Sequence, residues 1–327
     1  MDRDVWARVD EAIDRAVRAE PRRPRRPTYP DRLILRMYFW SAGHDRPPSW
    51  AVDRANYGGP FRPRKLPSRS QFNRRLAEDH TQRILQRVQD ELARPGLPSP
   101  VYTLDGKALP VGPVSKDPDA GRGKASGGWA KGYKLHAAVA EDGRIVCWSV
   151  MPLNVDEKVV AAELVARLPP VCGADDLVLA DSNYDSADLS AQCAADGRPL
   201  LTPLRAQQRV KPEGHHPVTL RQMGPARRAT VAAWRDHPAL CRFVLKSRVG
   251  IERNFSTLTC GGGGLGPLPA WVRTLARVRR WVGAKIALYH ARLQVRRARE
   301  QAEQAARERQ REAGPQPSQE HEVRAVA

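Results

Sequence analysis

The chain changes texture once, at the breaker PGLPSP over residues 95–100, and that change limits it to helices followed by a mixed sheet. Ahead of the breaker, apolar residues recur at helical spacing: Trp6, Val9, Ile13 and Val17 first, then Ile84, Leu85, Val88 and Leu92. Asp31 and Ser49 can cap helices between them, the basic stretch PRRPRRPTYP reads as a linker, and Ser68 with Gln71 forms a capping-box pattern. The last of these opens a helix whose outer face offers Arg69, Arg74 and Arg75, as in a helix-turn-helix-like module. Beyond the breaker come short β-rich runs: VYTLD, YKLHAAVA and RIVCWSVM as a meander, a helix over 157–168, DLVLAD, a helix over 186–195, and PLLTP. The order is βββαβαβ. Residues 205–240 carry no clear pattern. A helix resumes from Lys246 to Leu258, and after the Gly-rich 260–269 a long basic helix starts at Trp271. The last dozen residues read as disordered.

Charge follows the same division. There are 55 Lys and Arg against 36 Asp and Glu, a formal +19, which argues for a polyanionic partner. Yet between Val101 and Asp181 nine bases face eleven acids, so the middle is acidic and its flanks are basic. Carboxylates held together between phosphate-gripping segments would produce this pattern. Five Cys without paired CxxC spacing exclude a disulfide framework and a zinc ribbon. No apolar run reaches the length of about 18 residues that a membrane span needs, and the N-terminus mixes charges among its apolar positions, so a cytoplasmic protein is expected.

Two aspartates end β runs, Asp105 after VYTL and Asp181 after DLVLA. In a βββαβ order the first and fourth strands can be parallel neighbours joined by a crossover helix, which brings the two carboxylates side by side. Paired carboxylates invite hard divalent cations, and two such ions suit phosphoryl transfer. A third carboxylate would complete the site. Glu252 is the candidate, one turn after Arg248 on a helix whose Ile251, Phe255 and Leu258 face inward.

The motifs LDGKALPV, KGYKLHAAVAEDGRIVCWSVMPLNVDE, VLADSNYDS and SRVGIERNFSTL together resemble the DDE transposases of bacterial insertion sequences, in the branch labelled families four and five. The resemblance covers about residues 30–290. It implies a ribonuclease-H-like α/β core, a mixed five-stranded sheet with flanking helices, behind a helical N-terminal DNA-binding module. The implied division is an N-terminal helix and linker (1–30), the helical module (31–97), the catalytic domain (98–295), and a basic helix end with a tail (296–327). The family's Asp, Asp and Glu, which are both catalytic and metal-ligating, correspond to Asp105, Asp181 and Glu252. Its cofactor is Mg²⁺, replaceable by Mn²⁺, as two ions. Its partners are double-stranded DNA, at terminal inverted repeats and at the target, and a second copy of the chain, with no membrane and an expected place on the bacterial nucleoid. The implied reaction is cleavage at the element's ends and transfer of the 3′-hydroxyls to target DNA.

The family signature around the glutamate is Tyr, two residues, Arg, three residues, Glu, six residues, Lys. Arg248 and Glu252 fit it, but Leu245 and Thr259 stand where the Tyr and Lys belong. Arg253 and Arg273 are candidates to replace the missing contacts. Arg69, Arg74, Arg75, Lys134 and Arg248 complete the expected DNA-contacting set, and the helix from Trp271 is expected to grip phosphates. Lys134 and His136 alternate on one strand face, either solvated or against DNA. Asp117 and Asp119 read as loop residues, His215 and His216 as surface, Gly261–Gly264 as a connection, and Asp175, Asp176 and Asp185 as turn or capping residues. A catalytically inactive, transposase-derived DNA-binding protein is the alternative. A glycoside hydrolase fits poorly with the basic flanks and 6% aromatic content, and a ribonuclease is disfavoured by the helical module.

Overall fold

The computed structural model describes residues 1–94, 97–125, 127–173, 176–204, 224–260, 265 and 267–312. The sequence expectations for His215, His216, Asp175, Gly261–Gly264 and the C-terminal tail fall outside the described residues. Four helices come first: α1 (Arg3–Ala19), α2 (Asp31–Gly43), α3 (Arg69–Ala77) and α4 (Asp79–Ala93). Asp2 caps α1, accepting from the Asp4 and Val5 amides, and the Ser68–Gln71 capping box opens α3 as the sequence predicts. Ser49 starts only a 3₁₀ turn, Trp50–Val52, because the aromatic rings of Trp40, Trp50 and Tyr57 pack there.

The sheet comprises β1 (Val101–Pro110), β2 (Gly121–Ala125), β3 (Gly128–Ala140), β4 (Ile145–Pro152), β5 (Leu177–Leu179) and β6 (Leu200–Leu201). β3 is antiparallel to both β1 and β4, while β5 is parallel to β1 and β6 parallel to β5. The path β4-β3-β1-β5-β6 is the mixed five-stranded order of a ribonuclease-H-like core. The sequence does not announce β2: GRGKA lacks alternation and is a strand only because the N-terminal end of β3 offers it an edge. The parallel β1–β5 pair requires a crossover, which α5 (Glu157–Val165) supplies, and α6 (Ala187–Ala195) links β5 to β6. Among the described residues, four further helices follow: α7 (Gly224–Asp236), α8 (Pro238–Lys246), α9 (Val249–Cys260) and α10 (Leu275–Glu312).

The two faces of the sheet are covered differently. Leu104, Ala138, Cys147 and Ala180 pack under α5 and α6. Leu109, Tyr133, Leu135, Ala137 and Val150 instead join one continuous core with α1–α4, α9 and α10. The helices before residue 97 therefore share one hydrophobic core with that face of the sheet and with α10. That helix is a buried spine from Trp281 to Leu293, and its described side chains are exposed from Ala298 onward. Lys285 is fully buried, donates to the Ala42 carbonyl at 2.5 Å, pairs with Asp45, and lies 4.6 Å from the Trp281 ring centre. The neighbouring His290, also buried, accepts from the Ile145 amide at 3.0 Å and so ties α10 to β4. Burial pushes its pKa down to about 3, which keeps the imidazole neutral and able to accept.

Gly132, where β3 leaves β1, has no room for a side chain: an added Cβ would stand 2.4 Å from the Leu109 carbonyl oxygen. Gly132→Ala is expected to cost about 1–3 kcal/mol, because backbone must move on a strand paired on both sides. Urea denaturation checks this, and an unchanged midpoint would contradict it.

Candidate active site

Strand β1 alternates, so Leu104 points under α5 and α6 while Asp105 faces the side covered by α9, opposite Ala137 of β3. In the parallel pair, Thr103 is matched with Leu179. Asp105 and Asp181 each lie two residues further on, so the register sets them beside one another on strands about 4.8 Å apart. The polypeptide turns immediately after Asp181, whose carboxylate accepts from the Asn183 amide at 2.8 Å and its side-chain nitrogen at 3.3 Å. Asp105 accepts from the Gly106 amide at 2.7 Å. Burial raises its pKa to about 6, and the charge of Asp181 adds to the rise; the Gly106 N–H, Arg248 and Lys134 oppose it.

Ile251, Phe255 and Leu258 are buried and anchor α9 over this face. Glu252 consequently joins Asp105 and Asp181 in lining a cleft of about 750 Å³, together with Lys134, Glu157 and Asn183. Its carboxylate stands at the rim, 63% exposed, with one oxygen 3.7 Å from Arg248. Oxygen-only donors on two adjacent strands, one of them destabilised in its charged form, suit a hard divalent cation. Among the described residues, no three His, Cys, Asp or Glu side chains stand close enough to share one ion. Asp105 and Asp181 are the two carboxylates that the strand register sets side by side, and Glu252 stands at the rim of the same cleft.

Glu157 is the residue that the sequence reading missed. It caps nothing itself but pairs with Lys134 across the cleft, from the first turn of α5. Its signal was the Asp156-Glu157 pair opening the helix after β4, with Asp156 capping it by accepting from the Lys158 amide at 2.9 Å. Gly106 leaves room for the Lys134 side chain, since an added Cβ would stand 2.5 Å from Lys134 Cε and displace the end of that side chain. Lys134 is therefore in the cleft, as expected. His136 is not on a solvated face: it is fully buried, has no hydrogen-bond partner at either ring nitrogen, and burial with Lys134 nearby pushes its pKa down to about 4.

The other basic candidates separate. Arg69 and Arg74 are exposed on α3. Arg75 is not available for DNA, because its side chain is buried in a pairing with Asp31, at 2.8 Å, and with Glu78. Arg253 is exposed on α9 away from the cleft lining. Arg273 donates to the carbonyls of Pro269 and Val272, each at 2.8 Å, and lies outside the cleft, so it does not take the place of the signature Lys. Leu245 packs with Leu179, Leu201 and Cys241, which gives the aliphatic side chain a local packing reason at the position of the signature Tyr. Asp117 and Asp119 are structural: Asp117 is buried, accepts from the Tyr133 hydroxyl at 2.8 Å and the Thr274 amide at 3.0 Å, and Asp119 accepts from the Leu275 amide at 2.8 Å. Together they hold the start of α10. Asp176 closes a loop by accepting from the Cys172 amide at 2.9 Å, and Asp185 is buried against Arg227.

The sheet order is that of a ribonuclease-H-like core with an acidic cleft at the β1–β5 pair. The family model for the transposase DDE domain matches residues 96–263, more than half of the chain, and the chain belongs to that family. Among solved structures, it is similar to the piggyBac transposase in a synaptic complex with hairpin DNA, at 11% identity and a TM-score of 0.46, over 88% of this chain and 71% of that one. No curated protein sequence matches it. Among the described residues no helix is long and apolar enough to cross a membrane.

Proposed function

We propose that the chain is the transposase of a bacterial insertion sequence, in the branch of families four and five, that cuts DNA at the element's inverted-repeat ends and joins the freed 3′-hydroxyls to target DNA. The observation that carries this reading is the matched register of Asp105 and Asp181 on parallel strands, under a helix that bears Glu252 within the same cleft. Asp105, Asp181 and Glu252 would hold the divalent cations, Mg²⁺ or Mn²⁺ and two in number. Bound there, the cations would supply charge neutralisation at the attacking and leaving oxygens of the phosphodiester.

The rest is the work of this chain's side chains. Asp105 accepts the cation only when deprotonated, so its raised pKa makes cleavage rise with pH through about 6. Glu252, at the rim, swings inward on a helix whose buried face stays fixed. Arg248, freed from Glu252 by that rotation, and Lys134, held by Glu157, meet the scissile phosphate as charge-assisted donors. Arg69, Arg74 and Arg253 contact duplex phosphates and make binding fall steeply with salt. Because two ends must be cut together, the chain acts as a homodimer on the nucleoid.

The test is strand cleavage of a labelled duplex carrying the gene's own flanking ends, in Mg²⁺, Mn²⁺ or EDTA, with the wild type and Asp181→Asn. Metal-dependent nicking at the element boundary by the wild type alone is the expected outcome, with both proteins bound to the duplex. Tight binding without cleavage in either metal would overturn the enzymatic reading and leave a DNA-binding protein derived from a transposase, to which Leu245 and Thr259 in the signature already point.

A further inference from the structure

A second concavity, outside the acidic cleft, has a composition that duplex cleavage does not use. It encloses about 420 Å³ between α2, α3 and the start of α10. Arg69 enters it from α3, and Arg273, Arg277 and Arg280 from the opposite wall, with no acidic side chain among the lining residues. Arg69 and Arg273 were both expected to contact DNA from the sequence, and folding brings them together from positions some two hundred residues apart. Two aromatic rings complete the wall. Trp271 is 39% exposed, and its ring meets that of Trp281 edge-on, with centres 6.4 Å apart.

Two donors here lack acceptors. Trp281 is 3% exposed and its indole Nε1 has no hydrogen-bond partner, nor has the buried Arg280 Nε. Folded proteins rarely leave such groups unmet, and both belong to residues that line this concavity. Burial also holds the Arg280 guanidinium below its usual pKa, with Arg277 adding to the effect, and an anion would relieve both. Phosphate alone would satisfy the arginines but leave the exposed Trp271 face unused. A base has a face that stacks on tryptophan, worth about 1–3 kcal/mol. The volume suits one such unit and not a duplex.

We propose that this concavity holds one unpaired nucleotide of a DNA strand, its phosphate on the arginines and its base against Trp271. The proposal rests on the reading of the chain as a DNA-processing protein, and adds a contact that distinguishes a single-stranded tail from duplex.

Fluorescence anisotropy with the full chain tests it, using a blunt duplex, the same duplex with a short oligothymidine tail, and thymidine monophosphate as competitor. Trp271→Ala and Arg277→Ala are the variants, since both side chains are partly or fully exposed and neither lines the acidic cleft. The tailed duplex should bind about fivefold or more tightly than the blunt one, the range that one stacked base supplies. Either variant should erase that preference while blunt-duplex affinity stays within about twofold, and 5-iododeoxyuridine in the tail should crosslink to the peptide containing Trp271. Equal wild-type affinity for the two duplexes, or equal losses for both in the variants, would overturn the proposal and leave the transposase reading standing. Displacement of the tail by micromolar thymidine monophosphate would overturn the strand as ligand in favour of a free nucleotide. A wild-type chain that binds none of the three probes would defeat both readings.

Discussion

Asp105→Asn should abolish strand cleavage and, in the absence of metal at neutral pH, make the protein more stable. On the proposed reading the first effect is the loss of one of the carboxylates that would hold the cations, expected to lower the rate by about a thousandfold or more. The second follows from linkage. The folded-state pKa of Asp105 is raised from the usual carboxylate range to about 6, so the group's contribution to stability is present below the unfolded value and is lost as pH rises through about 6. The full cost at pH 7 is at most about 3 kcal/mol, at about 1.4 kcal/mol per pH unit, and less to the extent that water reaches the cleft. The asparagine variant should therefore melt higher than the metal-free wild type at pH 7, by an amount that vanishes near pH 4. Mg²⁺ should raise the melting temperature of the wild type and not of the variant. Melting scans across pH with and without Mg²⁺ check this, and a variant that is less stable at pH 7 would show that Asp105 is held by favourable partners instead of strained by burial and Asp181.

Asp31→Ala should have the largest effect on folding. Asp31 is 8% exposed, accepts from Arg23 Nη2 at 2.9 Å, from Arg75 Nη2 at 2.8 Å and from the Thr81 hydroxyl at 2.7 Å, and lies 3.4 Å from His80. It thereby joins the linker, α2, α3 and α4 at one point. Burial acts to raise its pKa, but the hydrogen bonds from Arg23 and Thr81 and the charges of Arg75 and Arg23 outweigh it, and the net shift is downward. Its stabilisation is present above the ordinary carboxylate range and is lost as pH falls through the lower folded value. Removing the carboxylate leaves the buried Arg75 with Glu78 alone, and breaking a buried pair in this way costs about 3–5 kcal/mol. Urea denaturation should show that loss, together with a smaller acid sensitivity than the wild type. A change below about 1 kcal/mol would mean that Glu78 alone satisfies both arginines.

Part of the site was legible because apolar β runs are local, although Asp105 does not end its strand: β1 continues to Pro110, since β3 goes on pairing with it beyond the apolar run. Apolar runs closing on Asp105 and Asp181, with a helix-forming segment between, already imply parallel neighbours and adjacent carboxylates, and the inward stripe Ile251, Phe255 and Leu258 puts Glu252 on a helix over them. The capping box at Ser68 was equally plain, since its two hydrogen bonds span only three residues. What failed was the assignment of basic side chains to solvent. Arg75 looks like its neighbours Arg69 and Arg74 in sequence, and only Asp31, 44 residues away, makes its burial possible. His136 has the alternation of a surface position and is covered by elements that the strand pattern does not mention.

The sequence by itself determined the apolar runs, the Ser68 capping box and where the three carboxylates fall in order, because those depend on periods of two and 3.6 and on contacts within a turn, whereas Asp31 and Ser49 cap no α-helix with their side chains. Tertiary structure decided which charges are spent inside the protein. Lys285 is a core residue because Ala42 and Asp45, about 240 positions earlier, meet its ammonium, and Arg273 faces Arg69 only because α10 threads through the core of the first four helices. A buried charge is tolerable only with its partner beside it, and that partner is chosen by the fold, not by neighbours along the chain.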